Sequence, residues 1–204
     1  MRKHGFVDLG FSCEPVPAGS HVCLFYWDDT RKNRMLFNYL VAGIRNGEKV
    51  ICLLDSLTKD ELLAWIQREQ VDTGGNDPDR CLFVARPQEV YYPNGVFVPE
   101  QMVAKWQRLI EEARAEGFNM ARVTGETNWL AKDIPGAELF IEYEVMINEW
   151  LRNYPVTVLC QINTNHIPGP TLMDLIRVHP FTVADGQLIY NPGTPPSGVE
   201  RLPR

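Results

Sequence analysis

The chain alternates short apolar runs with longer stretches whose apolar residues recur every three or four positions, and these two periods mark strands and helices in turn. The run Val22-Cys23-Leu24-Phe25-Tyr26-Trp27 is apolar at consecutive positions, the pattern of a strand covered on both faces. Asp28 or Asp29 then offers an N-cap oxygen to a helix with the stripe Met35, Leu36, Tyr39, Leu40 and Ile44, closed at Gly47. Residues 50–54 form a second strand, and Thr58-Lys59-Asp60-Glu61 reads as a capping box opening a helix that carries Leu62, Leu63, Trp65 and Ile66. A loop over 72–79 leads to a third strand over 81–85. An irregular connection follows over 86–98, holding the Pro93-Asn94-Gly95 turn signal, and a connection of that length is more often functional than plain. Pro99 suits the first position of a helix with Met102, Val103, Trp106, Leu109, Ile110 and Ala113, stopped by Gly117. A fourth strand over 120–124, a helix with Leu139, Phe140, Tyr143, Met146, Ile147 and Trp150, a fifth strand over 156–162 and a short helix over 172–178 come next. A hairpin of 181–184 with 187–190 about Asp185-Gly186 ends the pattern.

Strands separated by helices require right-handed crossovers, so the expected fold is α/β: a mainly parallel sheet with helices on both faces and a C-terminal β-hairpin. Residues 1–14 read as an N-terminal extension, 15–190 as one domain, and 191–204 as a Pro/Gly-rich tail expected to be loose. Ligands of such sheets sit outside the carboxyl ends of the strands. That rule selects Tyr26, Trp27 and Asp28 after the first strand, Asp55 and Ser56 after the second, Arg86 with Tyr91 and Tyr92 after the third, 125–129 after the fourth and 161–165, starting at Gln161, after the fifth.

The loop after the first strand reads Trp27-Asp28-Asp29-Thr30-Arg31-Lys32-Asn33-Arg34 and contains no glycine. A phosphate cradle needs closely approaching backbone amides, which bulky residues obstruct and two aspartates oppose, so nucleotide hydrolysis is disfavoured. No GxGxxG, HExxH or GxSxG stands at a strand end to support dinucleotide, zincin or serine-hydrolase chemistry. The most specific local signal is Thr124-Gly125-Glu126-Thr127-Asn128-Trp129. A carboxylate on a tight Gly turn with an indole three residues on could anchor a small ligand, or Glu126 could cap the next segment and Trp129 lie in the core. The aromatics Tyr26, Trp27, Tyr91, Tyr92 and Trp129 share that strand-end edge and would wall a pocket for a small, weakly polar molecule.

Composition narrows the classes. The 204 residues are 45% apolar and 23% charged, with a net charge of −6, so a self-sufficient core is affordable and a phosphate backbone would on average be repelled. Direct nucleic-acid binding is not expected. No apolar run reaches signal-peptide or membrane-spanning length, which gives a cytoplasmic, membrane-free expectation. The five cysteines include no CxxC pair and read as buried thiols. The histidines His4, His21, His166 and His179 show no ligand interval along one helix or hairpin, so neither a metal nor another cofactor is expected; His21 should lie at the edge opposite the crevice, and His179 should cap the helix before Pro180. Glu142 and Glu144 flank Tyr143 on what reads as the solvated side of a helix.

Taken together and in order, Gly19-Ser20-His21-Val22-Cys23-Leu24-Phe25-Tyr26, Asn46-Gly47-Glu48-Lys49-Val50, Arg122-Val123-Thr124-Gly125-Glu126 with Trp129, Glu142-Tyr143-Glu144, Val158-Leu159-Cys160-Gln161, and Asp174 with His179-Pro180 resemble the MEDS family, the methanogen/methylotroph, DcmR sensory domains. The resemblance covers roughly 15–185. It implies a RecA/KaiC-like core lacking a P-loop and a stand-alone cytoplasmic sensory module of a signal-transduction or transcription-control system. The ligand it implies is a simple hydrocarbon derivative, halogenated or methylated, and the implied partner is a histidine kinase or transcription regulator. The positions it carries over as ligand-binding are His21, Tyr26, Glu126, Trp129 and Gln161; Ile162 stands where the family usually has an aromatic, which points to an altered ligand preference. The expectation is therefore a non-enzymatic sensor. Two readings compete with it: a degenerate RecA-like nucleotide binder or small enzyme using Glu126 as acid/base or metal ligand, and an interaction module that assembles, with itself or a partner, through a helix face.

Overall fold

The computed structural model describes residues 5–154 and 156–194. Its centre is a seven-stranded sheet built from β3 (His21–Tyr26), β4 (Lys49–Leu53), β5 (Leu82–Ala85), β6 (Ala121–Glu126), β7 (Val156–Asn163), β8 (Phe181–Ala184) and β9 (Gln187–Tyr190), in the spatial order β5-β4-β6-β7-β3-β8-β9. All neighbouring strands are parallel except the terminal hairpin β8–β9. Two short strands, β1 (Phe6–Val7) and β2 (Val16–Pro17), pair antiparallel outside it, and Leu9 between them is fully buried. The expected tail over 191–204 lies mostly outside the described residues, which end at 194; within them, the Asn191 amide donates to the Ile176 carbonyl at 2.9 Å.

Each strand sends alternate side chains to opposite layers. Cys23, Ile51, Leu53, Val123, Val158, Cys160 and Ile162 face a layer containing α4 (Pro87–Tyr91), α5 (Pro99–Ala115), α6 (Phe140–Leu151) and α7 (Gly169–Val178). Val22, Leu24, Val50, Cys52, Leu82 and Leu159 face α1 (Asp29–Arg45) and α2 (Lys59–Arg68). Burial on both sides is why these strands read as unbroken apolar runs. Local signals hold where they were specific: Asp28 caps α1 by accepting from the Arg31 N–H at 2.8 Å, and Thr58 and Glu61 form the reciprocal capping box of α2.

Three elements differ from the sequence reading. Cys81 ends a short helix, α3 (Pro78–Cys81), capped by Asp77, so the third strand starts at Leu82. The connection over 86–98 is not irregular throughout, because Pro87 starts α4 and both Tyr91 and Tyr92 are buried. The fourth strand continues through Gly125 to Glu126, pairing Leu53 with Gly125 and Gln161 with Glu126, so Gly125 is a strand residue and not a tight turn. Its lack of a side chain is still required: a Cβ there would sit 2.6 Å from the Tyr91 Oη.

A second glycine is fixed by close approach. Buried Arg122 on β6 reaches into the α1 layer, donates from Nε and Nη2 to Glu48 at 2.8 Å each, gives Nη1 to the Tyr39 carbonyl at 2.8 Å, and packs its guanidinium on the Tyr39 ring. A Cβ on Gly43 would lie 2.5 Å from the Arg122 Nε. The bidentate pair with a backbone carbonyl satisfies the buried charge.

Candidate functional site

Besides the Arg122–Glu48 pair, two buried polar clusters among the described residues bear on function, one on each face of the sheet. The first closes the carboxyl ends of the strands. Lys32, in the first turns of α1, and Glu126, the last residue of central β6, are both buried and meet at 2.6 Å. The loop after β4 supplies the remaining donors. The Asp55 and Ser56 N–H groups donate to the Glu126 Oε2 at 2.7 and 3.0 Å, the Ser56 hydroxyl donates to Oε1, and Lys32 Nζ also reaches Ser56 Oγ at 3.2 Å. Burial alone would push the Glu126 carboxyl up, but the Lys32 charge and these hydrogen bonds outweigh it and hold it below the usual carboxylate range. Glu126 is therefore an ionised acceptor with four donors.

The Tyr26 ring lies beside this pair, 5.6 Å from Lys32 Nζ, with its hydroxyl donating to Asn128 Oδ1 at 3.4 Å; burial and the Glu126 charge raise its phenol to about 12. Phe25, Tyr26, Trp27, Lys32 and Met35 wall a small open cleft of about 20 Å³, rimmed by the ion pair of Arg31 with Asp185. Trp27 is 53% exposed at its mouth.

The strand-end candidates therefore divide. Tyr26, Trp27, Asp55 (through its backbone) and Glu126 gather around Lys32 at the crevice. Gln161 lies beneath them in β7, its amide donating to Thr124 Oγ1 at 2.8 Å and its backbone carbonyl accepting from the Thr127 hydroxyl. Tyr91, Tyr92 and Trp129 lie on the other side of the sheet in a closed aromatic core with Phe97, Phe140 and Tyr143; the Trp129 ring centroid is 5.2 Å from Tyr91 and 5.4 Å from Tyr92. Lys32 carries no site signal in the sequence because it sits in a polar helix turn; only the fold turns it inward.

His21 belongs to the second cluster, away from the crevice at the start of β3. Its Nε2 stands 3.0 Å from Glu144 Oε2 of α6 and 3.2 Å from Cys160 Sγ of β7, while His179, capping α7, brings Nε2 to 3.3 Å from the same carboxylate oxygen. All four side chains are buried and their donor atoms lie within 4.8 Å of one another. The His179 Nδ1–H donates to the Leu175 carbonyl at 2.7 Å, as a C-terminal cap should. The Asn148 amide donates to the Val178 carbonyl at 2.6 Å, which turns its oxygen toward His21 Nδ1 at 3.1 Å. Glu144 corrects the solvated-face reading: it and Asn148, one helical turn apart, point into the fold, while Glu142 is exposed.

Charges in this cluster are settled by burial and by each other. Burial and the neighbouring His179 lower His21 below the ordinary histidine value. Burial pushes the Cys160 thiol well up, as does the Glu144 charge. Burial would also raise Glu144, but the two imidazoles outweigh it and hold its carboxyl at about 2. His21, Glu144 and Cys160 also edge an enclosed cavity of about 10 Å³ under Trp106, Tyr143 and Trp150, room for one water molecule. Intervals along one element could not reveal the cluster, because its four members come from four elements. The signal available was the common parity of His21 and Cys160 on strands paired Cys23 to Cys160.

The chain is similar to a known family in sequence and to known structures in fold. The model of the family described as MEDS, "MEthanogen/methylotroph, DcmR Sensory domain", matches residues 20–180. No curated protein matches the chain in sequence. Among solved structures, the chain is similar to a KaiC-like protein from the hyperthermophilic archaeon Pyrococcus horikoshii OT3, with a TM-score of 0.59, 13% identity, and coverage of 87% of this chain and 79% of that one. It is also similar to the flagellar accessory protein FlaH from Methanocaldococcus jannaschii, with a TM-score of 0.56, 12% identity, and coverage of 90% and 83%. At such identities the likeness is one of fold: a RecA/KaiC-like core ending in an antiparallel hairpin. Among the described residues, no helix is long and apolar enough to cross a membrane.

Proposed function

The chain belongs to the MEDS family of sensory domains, and from that premise we propose that it binds a small hydrocarbon derivative, a halogenated or methylated one-carbon compound, in the cleft at the end of β3. The observation that carries this reading is what occupies the strand ends. The cation and the backbone N–H groups that could have received an anion are already spent on Glu126, and beside them lies a cleft of about 20 Å³ whose apolar walls are Phe25, Tyr26, Trp27 and Met35, with Asp28, Lys32 and the Arg31–Asp185 pair around them. A water needs about 10–15 Å³ by the same measure, so the cleft suits a molecule of very few heavy atoms. Its walls favour a weakly polar one, and the ring of Tyr26 couples it to the Lys32–Glu126 pair.

Binding would act as a signal by favouring one arrangement of the loop that follows β3, since a ligand shifts a population only by its differential affinity for two states. The receiver of that signal, in our reading, is a histidine kinase or transcription regulator carried on another chain. The alternative, a nucleotide binder or an enzyme using Glu126 as acid/base, is the weaker reading, because a carboxylate held ionised by four donors is poorly suited to exchange a proton.

Calorimetry and Trp27 fluorescence with dichloromethane and methanol, each run against ATP, test this. A saturable heat with one of the one-carbon compounds, lost in Trp27→Ala and Tyr26→Ala, is the expected result. No saturable signal from either compound, or binding that persists in both variants, overturns it; a response to ATP alone establishes the alternative.

A further inference from the structure

We propose that His21, Glu144, Cys160 and His179 bind one divalent transition-metal ion of the zinc class, at a site separate from the strand-end cleft. The first argument is geometric. A tetrahedral ion with bonds of about 2.0–2.3 Å sets its ligand atoms roughly 3.3–3.8 Å apart. His21 Nε2 to Cys160 Sγ is 3.2 Å, His179 Nε2 to Glu144 Oε2 is 3.3 Å, Cys160 Sγ to Glu144 Oε2 is 3.8 Å and His21 Nε2 to Glu144 Oε2 is 3.0 Å. Four of the six edges of that tetrahedron are thus close to these lengths and the other two lie within 4.8 Å, and the donors come from β3, α6, β7 and the end of α7, elements held by the sheet and its covering helices.

The second argument is the placement of protons. The Leu175 carbonyl can only accept, so His179 carries its proton on Nδ1 and presents a bare lone pair at Nε2. The Asn148 oxygen does the same for His21, because the amide nitrogen is committed to Val178. In the neutral rings both Nε2 lone pairs then point toward Glu144 and Cys160, where the single thiol hydrogen can satisfy only that of His21, at 3.2 Å. His179 Nε2 is buried with no hydrogen-bond partner among the described residues. A cation at the common point would take up the remaining lone pair and the carboxylate together. A metal ion satisfies both nitrogens, the carboxylate and the sulfur together, and the Nδ1 hydrogen bonds are the outer-shell contacts that fix the tautomers of metal-binding imidazoles.

Charge and donor chemistry select the ion. Binding expels the Cys160 thiol proton to solvent, so a dication is met by one thiolate, one carboxylate and two neutral imidazoles. The net charge of the site is then zero, which suits a cluster with no exposure to water. Imidazole and thiolate donors in tetrahedral array favour zinc over magnesium or calcium, which take oxygen.

The test uses tag-free full-length protein in a Cys13→Ser background, since Cys13 is the exposed thiol, stripped with a strong chelator and titrated with Zn²⁺ by calorimetry and with Co²⁺ by absorption. The expected result is one equivalent per chain, with a cobalt–thiolate charge-transfer band and intense tetrahedral visible bands. Cys160→Ser should abolish the charge-transfer band, and His179→Gln should weaken binding by about 100-fold or more. Asn148→Ala, which keeps all four ligands, should weaken it by about 10–100-fold. Because Cys160→Ser and His179→Gln alter the core, each is first shown to be folded by circular dichroism; should either fail to fold, Asn148→Ala and the spectrum of the parent protein decide. Absence of a cobalt–thiolate band in the parent, or one equivalent bound unchanged in the folded variants, overturns the assignment. Neither outcome bears on the strand-end cleft, whose ligand is tested by Tyr26 and Trp27.

Discussion

Breaking the Lys32–Glu126 pair from either side should be costly, and unequally so. Removing one partner of a buried ion pair generally costs about 3–5 kcal/mol, because the survivor is left as an uncompensated charge. In Lys32→Met, Glu126 keeps the N–H groups of Asp55 and Ser56 and the Ser56 hydroxyl, which places the loss near the low end, about 3 kcal/mol. In Glu126→Gln, the amide can offer its oxygen either to Lys32 or to the two N–H donors, but its NH₂ must then face a donor on the other side. That variant should lose about 5 kcal/mol. For a chain of this size the two losses correspond to drops in Tm of roughly 6–12 °C and 10–20 °C.

The same pair sets an acid limb. The carboxyl of Glu126 titrates below the ordinary carboxylate range in the folded protein, so its contribution is fully present above the unfolded value and is lost as pH falls through the folded one. Urea denaturation at pH 7 and across the range below about 5, followed by circular dichroism, should show Glu126→Gln destabilised at pH 7, with the gap to the parent narrowing as the pH drops. The double variant Lys32→Met/Glu126→Gln should lose less than the sum of the two. Single variants within 1 kcal/mol of the parent at pH 7, or losses that add fully in the double, would refute the coupling and the assignment of Glu126 as a satisfied anion.

Two further predictions concern close approach. Gly43→Ala places a methyl 2.5 Å from the Arg122 Nε and should displace the guanidinium from Glu48, with a loss of about 3 kcal/mol or more in urea denaturation; a loss under 1 kcal/mol would show that the arginine has room to move. Gly125→Ala meets the Tyr91 hydroxyl at 2.6 Å and should cost about 1–3 kcal/mol, most of it recovered in Gly125→Ala/Tyr91→Phe, as compared by thermal melts; no recovery would place the strain elsewhere.

Sequence by itself determined whatever depends on neighbours along the chain. The caps at Asp28 and Thr58, the apolar runs of the central strands, the terminal hairpin and the absence of a glycine-rich loop after β3 are all local, and periodicity and turn chemistry report them directly. Tertiary structure alone decided what depends on which faces meet. Glu126 could have capped a turn; the extension of β6 through Gly125 instead delivers it to Lys32, a residue that a polar helix turn gives no reason to bury. Trp129, Tyr91 and Tyr92 share the predicted strand-end edge but cross to the core layer, because α4 with its C-cap Tyr92 and the 3-10 turn Asn128–Ala131 pack them against Phe97, Phe140 and Tyr143. Glu144, His179, His21 and Cys160 lie up to 158 positions apart, the separation of 21 and 179. No interval rule links them, and only the parallel register of β3 with β7 and the docking of α6 and α7 bring four donors to one point.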